Sequence, residues 1–71
     1  MQFTVAEARR YRNLTQEFVA NSIGISRSAY IFLEKNPEKM TIERAKKFSN
    51  VVNIPMENII FCEKTLLKVD K

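Results

Sequence analysis

The sequence predicts an all-α fold, a compact five-helix bundle. Apolar residues recur at helical spacing in four segments: Val5 and Ala8; Val19, Ala20 and Ile23; Ala29, Tyr30 and Leu33; Ile42, Ala45, Phe48 and Val52. Ahead of each segment stands a hydroxyl residue able to cap a helix, namely Thr4, Thr15, Ser26 and Thr41. No stretch reads as a confident strand, which leaves helix-on-helix packing as the architecture.

The first helix is expected from about Val5 to Arg12, opened by a capping box, Thr4-Val5-Ala6-Glu7. Val5, Ala8 and Arg12 share one side of it. Asn13 marks the turn, because Asn tolerates the left-handed region better than most residues. The second helix spans about Gln16 to Ile23, capped by Thr15 and ended by Gly24, which accepts positive φ at little cost. The third runs from about Arg27 to Lys35 behind Ser26. Asn36-Pro37 then breaks the pattern. A fourth helix is expected from Ile42 to Val52, capped by Thr41 and ended by Asn53. Pro55 suits the first turn of a short fifth helix reaching Ile60 or Phe61. The tail from Cys62 to Lys71 stays open: Leu66, Leu67 and Val69 can make a strand, a dimer contact or a frayed end.

The 71 residues suit one domain, with a core of about 4–61 and the tail 62–71. A domain of this size buries only about 60% of its unfolded surface, so its core must be economical. The apolar runs are too short to span a bilayer and no signal-peptide pattern opens the chain, so a cytoplasmic protein is expected, with no membrane partner. Cys62 stands alone, which points away from an internal disulfide or a zinc cluster and towards a partly buried apolar role. The chain has no His, the commonest general base and metal ligand. Its single Gly cannot make a phosphate-cradling loop, and Glu7, Glu17, Glu34 and Glu38 show no spacing suited to acid–base work. No catalytic residue, metal or cofactor is expected. The net charge of +4 and a pI near 9.5 permit nucleic-acid binding without requiring it.

Leu14 to Lys35 reads as two short helices joined by a three-residue turn, the spacing of a helix-turn-helix, whose second helix is shaped for a DNA major groove. The pattern Arg9…Leu14-Thr15-Gln16…Ala20…Ile23-Gly24-Ile25-Ser26-Arg27-Ser28…Leu33-Glu34 resembles the Cro and phage-repressor type of helix-turn-helix regulator, the XRE family. The likeness covers about Val5 to Phe61, and Ile54-Pro55-Met56-Glu57-Asn58-Ile59-Ile60-Phe61 is similar to small prophage-encoded members. It implies a lambda-repressor-like five-helix bundle that binds operator DNA, often as a dimer. It also implies that Gln16 touches phosphate and buttresses the third helix, that Arg27 and Ser28 face base edges, and that Lys35 and the following loop lie near phosphate. Arg9 would pair with Glu34 in a structural role. The chain departs from the family at Ile31 and Phe32, where polar residues are usual, at Phe18 on the second helix, and at Pro37 in the loop.

On the third helix Arg27, Ser28, Ile31, Phe32 and Lys35 share one face, opposite Ala29, Tyr30 and Leu33. Arg27 can contact guanine in bidentate fashion, Ser28 a base or a phosphate, and Ile31 and Phe32 thymine methyls. The second helix's N-terminus can hold a phosphate. Arg10, Arg12, Lys35, Lys39, Lys46 and Lys47 add salt-sensitive attraction. The DNA-contacting set is therefore Gln16, Ser26, Arg27, Ser28, Ile31, Phe32 and Lys35, and a dimer would place half-sites about 34 Å apart. The rival reading is an antirepressor that docks on a phage repressor's DNA-binding domain through Phe18, Arg27, Tyr30, Ile31 and Phe32, since adjacent exposed apolar side chains mark protein-binding patches. Purely structural roles also stand open: Phe18 covered by Phe3 or the tail, and Phe32 folded against the fourth helix.

Overall fold

The computed structural model describes residues 2–61; the expectations for Cys62, Leu66, Leu67 and Val69 lie outside the described residues. The elements in chain order are β1 (Phe3–Thr4), α1 (Val5–Tyr11), α2 (Gln16–Ile23), α3 (Arg27–Lys35), a 3-10 turn (Pro37–Lys39), α4 (Ile42–Val52), a second 3-10 turn (Met56–Asn58) and β2 (Ile59–Ile60). The expected bounds hold for α2, α3 and α4, and α1 closes one residue early, with Arg12 at its C-cap.

The anticipated caps form. The hydroxyls of Thr4, Thr15, Ser26 and Thr41 accept hydrogen bonds from the backbone N–H groups of Glu7, Phe18, Ala29 and Arg44, at 3.1, 3.0, 3.1 and 3.2 Å. Glu7 closes the capping box by accepting from the Thr4 N–H at 2.9 Å. Three helices end by one device. Asn13, Gly24 and Asn53 adopt positive φ, and the N–H groups of Leu14, Ile25 and Ile54 reach back to the carbonyls of Arg9, Ala20 and Ser49. This is the Schellman stop, in which the residue after the left-handed one makes the apolar closing contact. Accordingly Ile54 belongs to the core, and Leu14 and Ile25 pack against it.

Gly24 carries φ +80°, and a Cβ built there would meet nothing within 4 Å. A Gly24→Ala substitution therefore costs backbone strain alone, about 1–2 kcal/mol. Urea unfolding should show that loss with an unchanged m-value.

The core gathers Val5 and Ala8 from α1, Val19, Ala20 and Ile23 from α2, Tyr30 from α3, Phe48 and Val52 from α4, and Ile54 and Ile59 beyond it. Helix α2 packs against both α3 and α4. The Phe48 ring lies 6.4 Å from those of Tyr30 and Phe61. Arg12 ties α1 to the end of α4, donating from Nε to the Val52 carbonyl at 2.7 Å and from a terminal nitrogen to that of Asn53 at 3.1 Å.

Four expectations need correction. Among the described residues the bundle has four α-helices, not five: Pro55 leads into a single 3-10 turn, and the β-branched Ile59-Ile60 pair then extends as β2, parallel to β1 with Phe3 opposite Ile59 and Thr4 opposite Ile60. Ala29 is exposed; it sits about 70° off the Tyr30–Leu33 seam, and its methyl group is too short to reach inward. Ile42 is 73% exposed, because it opens α4 at the edge of the Ala45–Phe48–Val52 stripe. Tyr30 cannot border a surface patch, because it is fully buried.

Candidate nucleic-acid interface

Helices α2 and α3 are locked together by one polar network. Arg9 Nε donates to Glu34 Oε2 at 2.6 Å, and an Arg9 terminal nitrogen donates to the Leu14 carbonyl at 2.8 Å. Gln16 Nε2 donates to the other Glu34 oxygen at 3.1 Å. The side chains of Arg9 and Glu34 are only 13% and 8% exposed. The expected Arg9–Glu34 pair and the buttressing by Gln16 are thus both present. Burial by itself would raise the Glu34 pKa, but the hydrogen bonds from Arg9 and Gln16, with the Tyr30 hydroxyl close by, outweigh it and hold the carboxyl below its ordinary range. The Tyr30 hydroxyl is buried beside this pair without a well-formed hydrogen bond of its own. Burial first, and then the Glu34 carboxylate, push its pKa strongly upward.

An amide NH2 carries two protons, so Gln16 keeps one donor beyond its bond to Glu34. It sits in the first turn of α2, where unpaired backbone N–H groups and the helix dipole favour an anion. An open cleft beside it is lined by Arg9, Thr15, Gln16, Glu17 and Arg27. Gln16 and Arg27 therefore line one cleft.

At about 100° per residue, Ser28 and Lys35 lie opposite the buried seam of α3, with Ile31 and Phe32 about 50° to either side. Arg27, Ser28 and Lys35 are exposed, Ile31 is half-buried, and Phe32 is 51% exposed. Phe32 therefore does not fold away against α4. The ion pairs among the described residues are Arg9–Glu34 and an exposed Lys47–Glu43 contact, so Arg27 carries none. Ser26 is committed to its cap but exposed, leaving its hydroxyl proton available. Phe18 is 52% exposed on α2, while Phe3 packs on Tyr11 at 5.0 Å. Of the candidate protein patch, Phe18, Arg27, Ile31 and Phe32 reach the surface and Tyr30 does not.

Sequence reasoning missed two members of this scaffold. Arg12 was placed among the DNA-attracting cations, yet its guanidinium is spent on the α4 carbonyls and lies 5.0 Å over the Tyr11 ring. The sequence places Tyr30 inward for its ring and assigns no role to its hydroxyl, which lies beside the Arg9–Glu34 pair. A carboxylate four residues further along α3 was the available clue, since such spacing puts both side chains on neighbouring rows.

The family model for the helix-turn-helix domain matches residues 5–59. An uncharacterized HTH-type transcriptional regulator of Archaeoglobus fulgidus is 36% identical over 67 residues, covering 93% of this chain and 94% of the relative. A second such regulator of that organism is 31% identical, covering 93% and 96%. The cryptic phage CTXphi transcriptional repressor RstR of Vibrio cholerae is 28% identical over 61 residues, which are 86% of this chain and 55% of RstR. No solved structure shows a significant match. The chain belongs to the helix-turn-helix family, of the XRE type.

Proposed function

We propose that this helix-turn-helix protein is a sequence-specific, DNA-binding transcriptional regulator of phage or prophage type, a Cro-like switch protein acting in the cytoplasm of a bacterial host. The observation that carries this reading is the outer face of α3. Arg27, Ser28 and Lys35 stand exposed there, Arg27 has no ion-pair partner among the described residues, and Gln16 and the α2 N-terminus lie alongside. In this reading Arg27 contacts guanine and Ser28 a base or a phosphate, with Ser26 near the backbone. Gln16 and the first turn of α2 hold a phosphate. Arg10, Lys35, Lys39, Lys46 and Lys47 add sequence-independent attraction, and a homodimer would read a palindrome. The likeness to a named phage repressor supports the phage-type assignment. The mechanism is equilibrium occupancy of an operator, with no chemical step.

The test is selection from a random-sequence duplex library, followed by titration of the selected duplex at several salt concentrations. Specific affinity that falls steeply with salt is expected. Arg27→Ala should weaken it roughly 10- to 100-fold, the equivalent of about 1–3 kcal/mol, while changing stability by less than about 0.5 kcal/mol. Selection of no duplex at all would refute the reading. The exposed Phe18 and Phe32 favour a second reading, an antirepressor that occupies a repressor's DNA-binding domain. That alternative predicts a stable complex with a repressor, lost on Phe32→Ala, and no specific duplex.

A further inference from the structure

The outer face of α3 places two apolar side chains, Ile31 and Phe32, on either side of its midline. Neither carries a hydrogen-bonding atom, so neither can read the donors and acceptors of a base edge. The one apolar group that a base pair displays in the major groove is the C5 methyl of thymine. We infer that this face selects its site by methyl groups, with Ile31 and Phe32 as the specificity-determining residues for thymine. The inference rests on the DNA-binding reading above and deepens it.

Charge and spacing fit this occupant. Arg27 and Lys35 stand at the two ends of the apolar pair, and Gln16 and the first turn of α2 share a cleft with Arg27. A cationic rim around a small apolar centre suits a polyanion that displays methyl groups. Arg27 precedes Ile31 by four residues and Ser28 precedes Phe32 by four, which is about 6 Å along the helix axis. Bases on one strand are about 3.4 Å apart. The guanine read by Arg27 and the thymines read by Ile31 and Phe32 should therefore lie about two base pairs apart. Cytosine methylated at C5 displays a methyl group at the same place on the base. It differs from thymine only in polar groups that Ile31 and Phe32 cannot sense. The face should accordingly tolerate 5-methylcytosine in place of thymine better than it tolerates cytosine.

Two random-sequence duplex libraries test this, one built with thymidine and the other with deoxyuridine at every such position. From the thymidine library the expected motif holds a G with one or two T about two base pairs away. Deoxyuridine at those positions should weaken the selected duplex about fourfold per methyl group, the equivalent of about 0.8 kcal/mol. Replacing T·A by 5-methylcytosine·G should cost less than replacing it by C·G. Phe32→Ala and Ile31→Ala should move the thymine-to-uracil affinity ratio towards one, and circular dichroism melts confirm that each variant is folded. Equal affinity for the thymine and uracil duplexes, or a ratio unchanged in both folded variants, overturns methyl selection and leaves DNA binding standing. If neither library yields a duplex, DNA binding itself falls and methyl selection falls with it.

Discussion

Phe48→Ala is expected to remove a large part of this chain's stability. Phe48 is fully buried, and its ring lies against those of Tyr30 and Phe61, so it joins α3, α4 and the segment after β2. Truncating such a side chain removes its transfer free energy and leaves a cavity that the surroundings fill only in part, at a cost of about 3–5 kcal/mol. A chain of 71 residues has roughly 4–11 kcal/mol of stability in total, at the usual 0.05–0.15 kcal/mol per residue. One substitution therefore removes roughly a quarter of it at the least and all of it at the most. Ile42→Ala is the internal control: Ile42 is apolar and on the same helix but 73% exposed, and its loss should cost less than about 0.5 kcal/mol. Urea unfolding of the two variants would separate a core position from a surface one. A Phe48→Ala loss below about 1 kcal/mol would contradict the packing described here.

The second large effect is expected at Glu34. A Glu34→Gln substitution keeps the shape but removes the charge that Arg9 faces at 2.6 Å and that Gln16 also contacts. Breaking a buried pair typically costs about 3–5 kcal/mol because the remaining charge is left without a partner. Here both side chains keep some solvent contact, so a loss of about 2 kcal/mol is expected, worth about 8–16 °C in melting temperature for a domain this small. The pH dependence has a definite sign. The folded-state pKa of Glu34 lies below its ordinary value: burial works to raise it, and the hydrogen bonds from Arg9 and Gln16, with the Tyr30 hydroxyl close by, more than offset that. The stabilisation is therefore complete above the ordinary carboxylate range and is lost as pH falls through the depressed value. Wild type should lose stability faster than Glu34→Gln on acidification below about pH 4.5, so that their melting temperatures converge. Parallel curves would show that Glu34 is not held in its charged form by this network.

Much of this fold was legible in the sequence because its helix ends are written in local chemistry. Thr15, Gly24 and Ser26 fix the bounds of α2 and the start of α3 without reference to anything distant. The fifth helix failed as an expectation because Pro55 is compatible both with a helix start and with an extended approach to a turn. The choice was made by a partner 56 residues away in the chain, β1, which pairs with Ile59-Ile60. Arg12 looked like a free cation for the same reason: its acceptors, the Val52 and Asn53 carbonyls, become available only where α4 ends. Ile42 and Ala29 show the limit of periodicity, which gives the angle of a side chain but not whether another element lies within its reach. At the candidate interface, the Arg9–Glu34 pair and the outward side of α3 were readable from spacing. The burial of Tyr30 was readable too, and it excludes that residue from the surface set proposed for a protein partner.

Amide chemical-shift mapping decides whether the outer face of α3 grips DNA. The 15N-labelled protein would be titrated with the selected duplex, with a scrambled duplex of equal length as control. Specific shifts are expected to concentrate at Gln16, Glu17 and Arg27 through Lys35, with weaker, salt-sensitive changes at Lys39, Lys46 and Lys47. Specific shifts that leave α3 untouched, or changes identical for the two duplexes, would contradict binding through that face.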